Sequence, residues 1–124
     1  MAAHRPEECD LQIAICINAG DLEGAVALYE PGARFVVGPD KTVEGSDGIR
    51  EVMRSMLADK PRLMIEVPKV VESGDLALLC SKWSSTVTGA DGKQSTDTGN
   101  GREVVRRQVD GTWRFVIDYP NGGD

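Results

Sequence analysis

An Asp-Gly pair near the C-terminus constrains the fold of this chain more than any other short segment. Asp110-Gly111 stands between two β-rich arms, residues 101–109 and 112–119. Asp-Gly between such arms is a strong hairpin signal, because a type I′ turn needs positive φ angles at both central residues. We therefore predict a long C-terminal hairpin with this turn. We expect it to form the middle of a strongly curved sheet, against which the upstream segments pack.

The upstream residues predict three helices and four further strands. The clearest amphipathic helix contains Ile49, Val52, Met53, Met56 and Leu57. In the first helix an apolar stripe, Leu11, Ala14, Ile15 and Asn18, is widened by Ile13, Cys16 and Ile17, so we expect this helix to be buried on more than one side. The predicted helices lie between Pro6 and Gly20, between Asp21 and Pro31, and between Ser46 and Pro61. Four predicted strands span residues 33–37, 42–44, 63–71 and 76–87. The two strands of the hairpin follow at residues 94–109 and 112–119. The order ααββαββββ predicts one α+β domain over residues 1–124, a curved antiparallel sheet wrapped around helices as a cone. The open end of such a cone is a natural small-molecule pocket.

Charge and rare residues exclude several functions. Twenty acidic against fourteen basic residues give a net charge of −6, which argues against nucleic-acid binding. His4 is the single histidine, so neither a Ser-His-Asp triad nor a histidine metal site can be built. Cys9, Cys16 and Cys80 form no CxxC motif and are interpreted as reduced thiols. We expect no metal and no cofactor.

The N-terminus and the hydropathy pattern bear on location. Residues 1–8 contain no apolar segment of the signal-peptide type. No apolar run approaches the ~20 residues of a membrane helix. A cytoplasmic protein that does not associate with membranes is expected.

Asp118 is the first candidate catalytic residue. It lies between Ile117 and Tyr119 at the end of the last strand, where burial would raise its pKa and make it a general base. The alternative is a structural role, capping a loop or pairing with an arginine. Strict alternation places Asp118 on the face opposite Trp113 and Phe115, but a bulge would reverse this, so the face that lines the pocket stays open.

Arg106 is the second candidate catalytic residue. Arg106 and Arg107 are adjacent on a strand, so one of them points inward and could bind a carboxylate or enolate, or hold Asp118 in a bidentate pair. The alternative, which is favoured, is a salt bridge to Glu103 or Glu66 on the outside of the sheet.

Five aromatic residues are candidates for substrate binding: Tyr29, Phe35, Trp83, Trp113 and Tyr119. Tyr29 could supply a hydroxyl donor, and Trp83 an aromatic wall. Such residues more often belong to a core in which their polar ends are satisfied.

Several segments together resemble the NTF2-like superfamily. They are residues 18–24 between the first two helices, 27–33, 43–45, 74–77 and 110–115. The resemblance covers nearly the whole chain and is closest to SnoaL-like and DUF4440-type, ketosteroid-isomerase-like members. It implies a conical α+β barrel, commonly dimeric through the outer sheet face. The superfamily includes isomerases, polyketide cyclases and dehydratases as well as members of unknown role.

Steroid isomerase chemistry is not expected to carry over. Those enzymes use an aspartate base together with a tyrosine and a protonated aspartate that bind the oxyanion. Alignment on the shared segments places Ile13, Val37 and Val105 at these three positions, and all three are apolar. Loss of either kind of group costs orders of magnitude in rate.

Two functions stay open for a chain with these features. One is a cofactor-free enzyme that transfers protons on a small apolar carbonyl compound; the other is a non-catalytic, dimeric ligand-binding or interaction module. An aspartate in a polar-lined cavity would favour the enzyme. A cavity filled by Phe35, Trp83 and the methionines would favour the binding module.

Overall fold

The computed structural model describes residues 2–124 and confirms the predicted α+β class and element order. The helices are α1 (Glu8–Ala19), α2 (Leu22–Val26) and α3 (Gly45–Ala58). The strands are β1 (Tyr29–Gly38), β2 (Lys41–Glu44), β3 (Arg62–Ser73), β4 (Leu76–Thr88), β5 (Gln94–Arg107) and β6 (Trp113–Tyr119). Within the described residues, no helix is long and apolar enough to cross a membrane.

The six strands form one curved, open sheet in the order β2-β1-β6-β5-β4-β3. Neighbouring strands are antiparallel except β1 and β6, which run parallel. The predicted hairpin β5–β6 does lie inside the sheet, with β4 on one side and β1 on the other. Its side chains therefore reach the middle of the concave face.

Helices α1 and α3 pack on the concave face of the sheet. Ile49 and Met53 of α3 are buried as the amphipathic pattern predicts, and they belong to the same core cluster as Leu79, Val105 and Phe115 of the sheet. The core therefore lies between α3, α1 and the long strands.

Only part of the predicted apolar surface of α1 is buried. Leu11 and Ile15 are 43% and 52% exposed, whereas Cys9, Ile13 and Ile17 are buried. Helix α1 carries apolar side chains nearly all round, so its periodicity alone does not determine the buried side. Packing on the sheet selects the side that also carries Asp10, which is 3% exposed.

The turn of the C-terminal hairpin differs from the predicted type I′. Gly111 has a φ of +85°, but Asp110 does not have a positive φ. The Gly111 amide donates to the Gln108 carbonyl at 2.9 Å, and the Gln108 amide donates to the Thr112 carbonyl at 2.6 Å. This is the three-residue alternative, a type I turn followed by a glycine bulge. The Asp110 carboxylate stabilises it by accepting from the amide and hydroxyl of Thr112.

Candidate functional site

A cavity of about 230 Å³ lies between α1, α3 and the concave face of the sheet. Its walls are largely apolar, with Ile13, Phe35, Met53, Met56 and Trp83 among the lining residues. Its polar groups come from α1 and four strands: Asp10, Tyr29, Ser81, Ser85, Asp97, Glu103 and Asp118. No Lys, Arg or His belongs to the lining that the described residues form.

A bulge in β6 turns Asp118 into this cavity. Val105 pairs with Phe115 and Val104 pairs with Ile117, so Val116 is the extra residue on β6. The bulge reverses the alternation, and Asp118 is buried on the same side as Phe115 rather than opposite it. This settles the open question of which face lines the cavity.

Tyr29 and Asp118 form a buried hydrogen-bonded pair. The Tyr29 hydroxyl donates to Asp118 Oδ2 at 2.5 Å. The Tyr29 ring stacks on Phe115, with the ring centroids 4.7 Å apart. Burial raises the pKa of Asp118 to about 7, and the negative charge of Asp10 adds to this, while the Tyr29 hydrogen bond lowers it. Burial and the Asp118 charge hold the pKa of Tyr29 well above its usual value, so Tyr29 remains a donor.

Asp10 and Glu103 form a second acidic pair in the cavity. The two carboxyl groups lie within hydrogen-bonding reach of each other. Ser81 Oγ donates to Glu103 Oε2 at 3.0 Å. Burial and the neighbouring Asp10 raise the pKa of Glu103 to about 11, and burial also raises the pKa of Asp10. A pair with such values holds at least one proton at neutral pH.

One carboxyl group of each pair, Asp118 and Glu103, lies in the same row across the sheet. Glu103 and Asp118 are direct cross-strand partners, and Asp118 is the partner of Phe35 on its other side. Partners on one face have Cβ atoms about 5 Å apart, and like charges there are destabilising. The sheet therefore concentrates acidic groups that repel each other when ionised.

Two glycines of β5 make room for the cavity side chains. A Cβ at Gly101 would clash with Glu103 Oε2 and Ser81 Oγ, and a Cβ at Gly99 would clash with the Trp83 indole. Trp83 in turn donates its indole N–H to the Pro120 carbonyl at 2.7 Å, and Pro120 lines the cavity. The glycine segment at residues 99–101 therefore shapes the wall of the cavity.

Four of the seven candidate residues line the cavity: Asp118, Tyr29, Phe35 and Trp83. Arg106, Trp113 and Tyr119 do not belong to the lining. Arg106 Nε instead bonds Glu30 Oε2 at 3.0 Å, on a side chain 47% exposed. Arg106 therefore does not pair with Asp118, whose carboxylate accepts a hydrogen bond from Tyr29.

The other two aromatic candidates, Trp113 and Tyr119, lie outside the cavity lining. Trp113 is buried beneath the N-terminal segment, with its amide donating to the Ala3 carbonyl at 2.8 Å, and the Arg107 guanidinium stands 5.9 Å from the centre of its ring. Tyr119 follows Asp118 on the opposite face of β6 and is 42% exposed.

Sequence reasoning missed Asp10 and placed Glu103 on the outside of the sheet. Glu103 stands between Gly101 and Val105 on the buried face of β5, and this alternation was the available signal. Asp10 shares a helix face with Ile13 and Ile17, at the i, i+3, i+7 spacing. Carboxylates in the first turn of a helix are favoured by its dipole, so the acidic character of Asp10 alone does not indicate that it is buried.

The sequence profile of SnoaL-like domains matches residues 12–118. The chain belongs to the SnoaL-like family. No curated protein sequence matches it. Among solved structures, it is similar to a ketosteroid isomerase-like protein from Erwinia carotovora atroseptica, at 22% identity and a TM-score of 0.77, over 90% of this chain and 88% of that one. It is also similar to an NTF2-like protein with a cystatin-like fold from Novosphingobium aromaticivorans, at 19% identity and a TM-score of 0.78, over 95% of this chain and 80% of that one.

A third similar structure contains a small molecule. It is a protein from Catenulispora acidiphila in complex with S-DNPA, with 14% identity and a TM-score of 0.78, over 91% of this chain and 87% of that one. At these identities the solved structures establish the fold that this SnoaL-like chain shares, and no more.

The three positions compared with steroid isomerases have different surroundings in this SnoaL-like chain. Ile13 lines the cavity, Val105 is buried, and Val37 is 43% exposed. The acidic groups of the cavity come from neighbouring positions, Asp10 one turn before Ile13 and Glu103 two residues before Val105. Apolar residues at the aligned positions therefore do not make the cavity apolar.

Residues 2–124 contain no cluster of side chains with the composition of a metal site. No group of three or more His, Cys, Asp or Glu side chains there could hold a metal ion. Cys9 and Cys16 are buried, Cys80 is half-buried, and all three are thiols. Burial raises the pKa of the Cys9 thiol, which makes it unreactive.

Proposed function

We propose that this SnoaL-like chain binds a small, largely apolar carbonyl compound in the cavity and transfers a proton on it without a cofactor. The reaction would be of the cyclase, isomerase or dehydratase type. The observation that carries the proposal is the Tyr29–Asp118 pair: a buried carboxyl in a cavity, with a pKa raised to about 7. Such a group exists in both protonation states near neutral pH, as a general base requires.

The geometry suggests how Asp118 acts. The Tyr29 hydroxyl occupies Oδ2, so the proton-accepting atom in this mechanism is Oδ1. Oδ1 takes a proton from the carbon next to the carbonyl, and the electron pair of the broken C–H bond moves into the enolate. Return of the proton to another carbon completes an isomerisation and regenerates the carboxylate. Tyr29 fixes the orientation of the base throughout.

The size of the cavity limits the substrate. Its volume of about 230 Å³ is below the ~300–1,000 Å³ typical of sites for drug-sized ligands. This favours a compact substrate, and steroid isomerase activity is not proposed, because apolar residues stand at the three aligned positions, Ile13, Val37 and Val105. The similar protein bound to S-DNPA is compatible with a small-molecule role.

We also propose that the protein works as a homodimer in the cytoplasm. Apolar side chains on the outer face of the sheet support the dimer, and three thiols support a reducing compartment. The net charge of −6 supports a role without nucleic acid.

Hydrogen–deuterium exchange tests the proton-transfer function without knowledge of the natural substrate. Acetophenone is incubated with the protein in D₂O, and exchange of its methyl protons is followed by NMR. We expect acceleration that rises with pH through a midpoint near 7, because the carboxylate of Asp118 is the active form. Asp118→Asn should reduce the acceleration by about 10²–10⁴-fold. Asp75→Asn, an exposed aspartate paired with Arg107, is the control with the same change of charge.

Stability separates a catalytic from a structural aspartate. A catalytic Asp118 predicts that Asp118→Asn melts at the same temperature as the wild type or higher, because functional sites are rarely optimised for stability. Unchanged exchange in Asp118→Asn, together with a large loss of stability, would favour the alternative of a non-catalytic binding module.

A further inference from the structure

The two ends of the cavity differ in their exposure to solvent. Asp118 and Ser81, at one end, are buried. At the other end Ser85 is half-buried and Asp97 is exposed. The mouth of the cavity therefore lies at Ser85 and Asp97, and the proposed base lies at the closed end.

The register of the sheet places Trp83 between these two ends. Through β5, Asp118 is in one row with Leu79 of β4. Asp97 pairs with Ser85 of the same strand. Residues at every second position of a strand share a face, so Leu79, Trp83 and Ser85 all point to the concave side. A ligand that enters past Ser85 therefore meets the Trp83 side chain before it reaches Asp118.

The Trp83 indole has a fixed place at this point. Its N–H donates to the Pro120 carbonyl at 2.7 Å, and Pro120 also lines the cavity. The ring passes over Gly99 of β5, where a Cβ would clash with it. The ring therefore lies across β5 and reaches the segment that follows β6.

That segment, residues 120–124, is held beside β5 by hydrogen bonds to one residue. The Gly123 amide donates to the Asn100 carbonyl at 2.9 Å. The backbone and side-chain amides of Asn100 each donate to Asp124 Oδ1 at 3.0 Å. Asp124 itself is exposed, and short segments held by exposed hydrogen bonds open at a low free-energy cost. The position of the Pro120 carbonyl therefore depends on the bonds between Asn100 and Asp124.

We propose that Trp83 is the specificity-determining residue of the cavity and acts as a gate. With its N–H bonded to Pro120, the indole narrows the passage from the mouth to Asp118 and admits compact ligands only. Release of residues 120–124 frees the ring and opens the passage. The inference rests on the proposed function for the use of this cavity, but the gate needs no proton transfer at Asp118.

Hydrogen exchange at the Trp83 indole tests the gate without a ligand. The chain has two tryptophans, so ¹⁵N-labelled protein gives two indole N–H signals, which Trp113→Phe assigns. We expect slow exchange of the Trp83 N–H with water. Asp124→Ala should accelerate it by at least about tenfold, because three hydrogen bonds to this carboxylate are lost. Asp40→Ala, on an exposed turn residue, is the control and should leave the rate unchanged.

Calorimetry with two aryl ketones tests the size limit. Acetophenone has one ring and 2-acetonaphthone has two, and we expect the wild type to bind acetophenone more tightly. Trp83→Phe leaves a smaller ring without the bond to Pro120, so it should raise the affinity for 2-acetonaphthone relative to acetophenone by at least about tenfold. Trp113→Phe makes the same change outside the lining and should leave the ratio of the two affinities unchanged.

Three results would overturn the gate. They are fast exchange of the Trp83 N–H in the wild type, exchange that Asp124→Ala does not accelerate, and the same ratio of affinities in Trp83→Phe and Trp113→Phe. The exchange measurements decide the gate by themselves if Trp83→Phe fails to fold.

The gate and the proposed function fail separately. If neither ketone binds, ligand binding in the cavity is contradicted, and the exchange of the indole N–H still decides the gate. If the gate behaves as expected but the protein does not accelerate deuterium exchange of acetophenone, the proton-transfer function alone is contradicted.

Discussion

At the scale of single residues, the cavity depends on acidic groups that the fold keeps close together. Glu103 and Asp118 are direct cross-strand partners, and Asp10 approaches Glu103 from α1. Burial raises the pKa of all three carboxyls. Such an arrangement costs stability whenever the groups ionise, and it is typical of a site in which protons or charged ligands are exchanged.

The raised pKa values predict that the protein becomes less stable as the pH rises. A carboxyl whose pKa is higher in the folded state stabilises the fold fully below its unfolded pKa, near 4, and loses this contribution as the pH rises toward the folded value. For Asp118 and Glu103 these folded values are about 7 and about 11. Each group can change the free energy of unfolding by at most ~1.4 kcal/mol per pH unit.

Thermal melts between about pH 5 and about pH 8 measure this dependence. The wild type should melt at a lower temperature at the higher pH. Glu103→Gln removes one of the titrating groups, so it should reduce the slope and raise the melting temperature at the higher pH. Glu72→Gln, on an exposed residue of β3, is the control and should leave the slope as it is. A wild-type melting temperature that rises across this range would contradict the buried carboxyls.

At the scale of elements, β5 and β6 shape the site through irregularities of the backbone. The bulge at Val116 turns Asp118 inward, and Gly99 and Gly101 leave space for Trp83, Glu103 and Ser81. Regular strands would place Asp118 outside and fill the cavity wall with Cβ atoms.

Gly99→Ala tests the role of the strand glycines. The added Cβ overlaps the Trp83 indole, whose N–H bonds the Pro120 carbonyl, so the ring must move away from the cavity wall. We expect a loss of about 1–3 kcal/mol in the free energy of unfolding, measured by urea denaturation, with a changed tryptophan emission spectrum. Gly32→Ala, where the added Cβ meets no atom within 4 Å, is the control and should cost much less. Equal stability of the two variants would show that Gly99 has no packing role.

The elements themselves were largely predictable, because they rest on local patterns. The amphipathic face of α3 and the Asp-Gly turn between two β-rich arms indicated the order and the curved sheet. Asp118 could be selected because it is the single acidic residue of an apolar strand. The direction in which it points could not, because the bulge at Val116 depends on pairing with β5. Glu103 and Asp10 were missed for a similar reason. Which side of β5 and which side of α1 is buried depends on how these elements pack in the folded domain.

At the scale of the whole molecule, the outer face of the sheet carries an apolar row that the monomer leaves uncovered. Val71, Leu78, Val104 and Ile117 are consecutive partners across β3, β4, β5 and β6. Three of them, Val71, Leu78 and Ile117, are between 38% and 46% exposed. Apolar rows of this kind mark interaction surfaces, and a symmetric dimer would cover this one with its own copy.

Light scattering at micromolar concentration tests the dimer. We expect twice the chain mass of 13.4 kDa for the wild type. Leu78→Lys places a charge in the middle of the row and should give the mass of one chain. Val109→Lys, on a fully exposed loop residue outside the row, should leave the mass doubled. A wild-type particle of single-chain mass would contradict the dimer.

The titration of Asp118 tests most directly whether the fold places a proton-exchanging carboxyl in the cavity. Its carboxyl carbon can be followed by ¹³C NMR across the pH range and assigned by its loss in Asp118→Asn. We predict a midpoint near 7, because burial, reinforced by the negative charge of Asp10, disfavours the charged form more than the Tyr29 hydrogen bond favours it. A midpoint near 4, the ordinary value for aspartate, would show a solvated carboxylate and contradict the proposed role of Asp118.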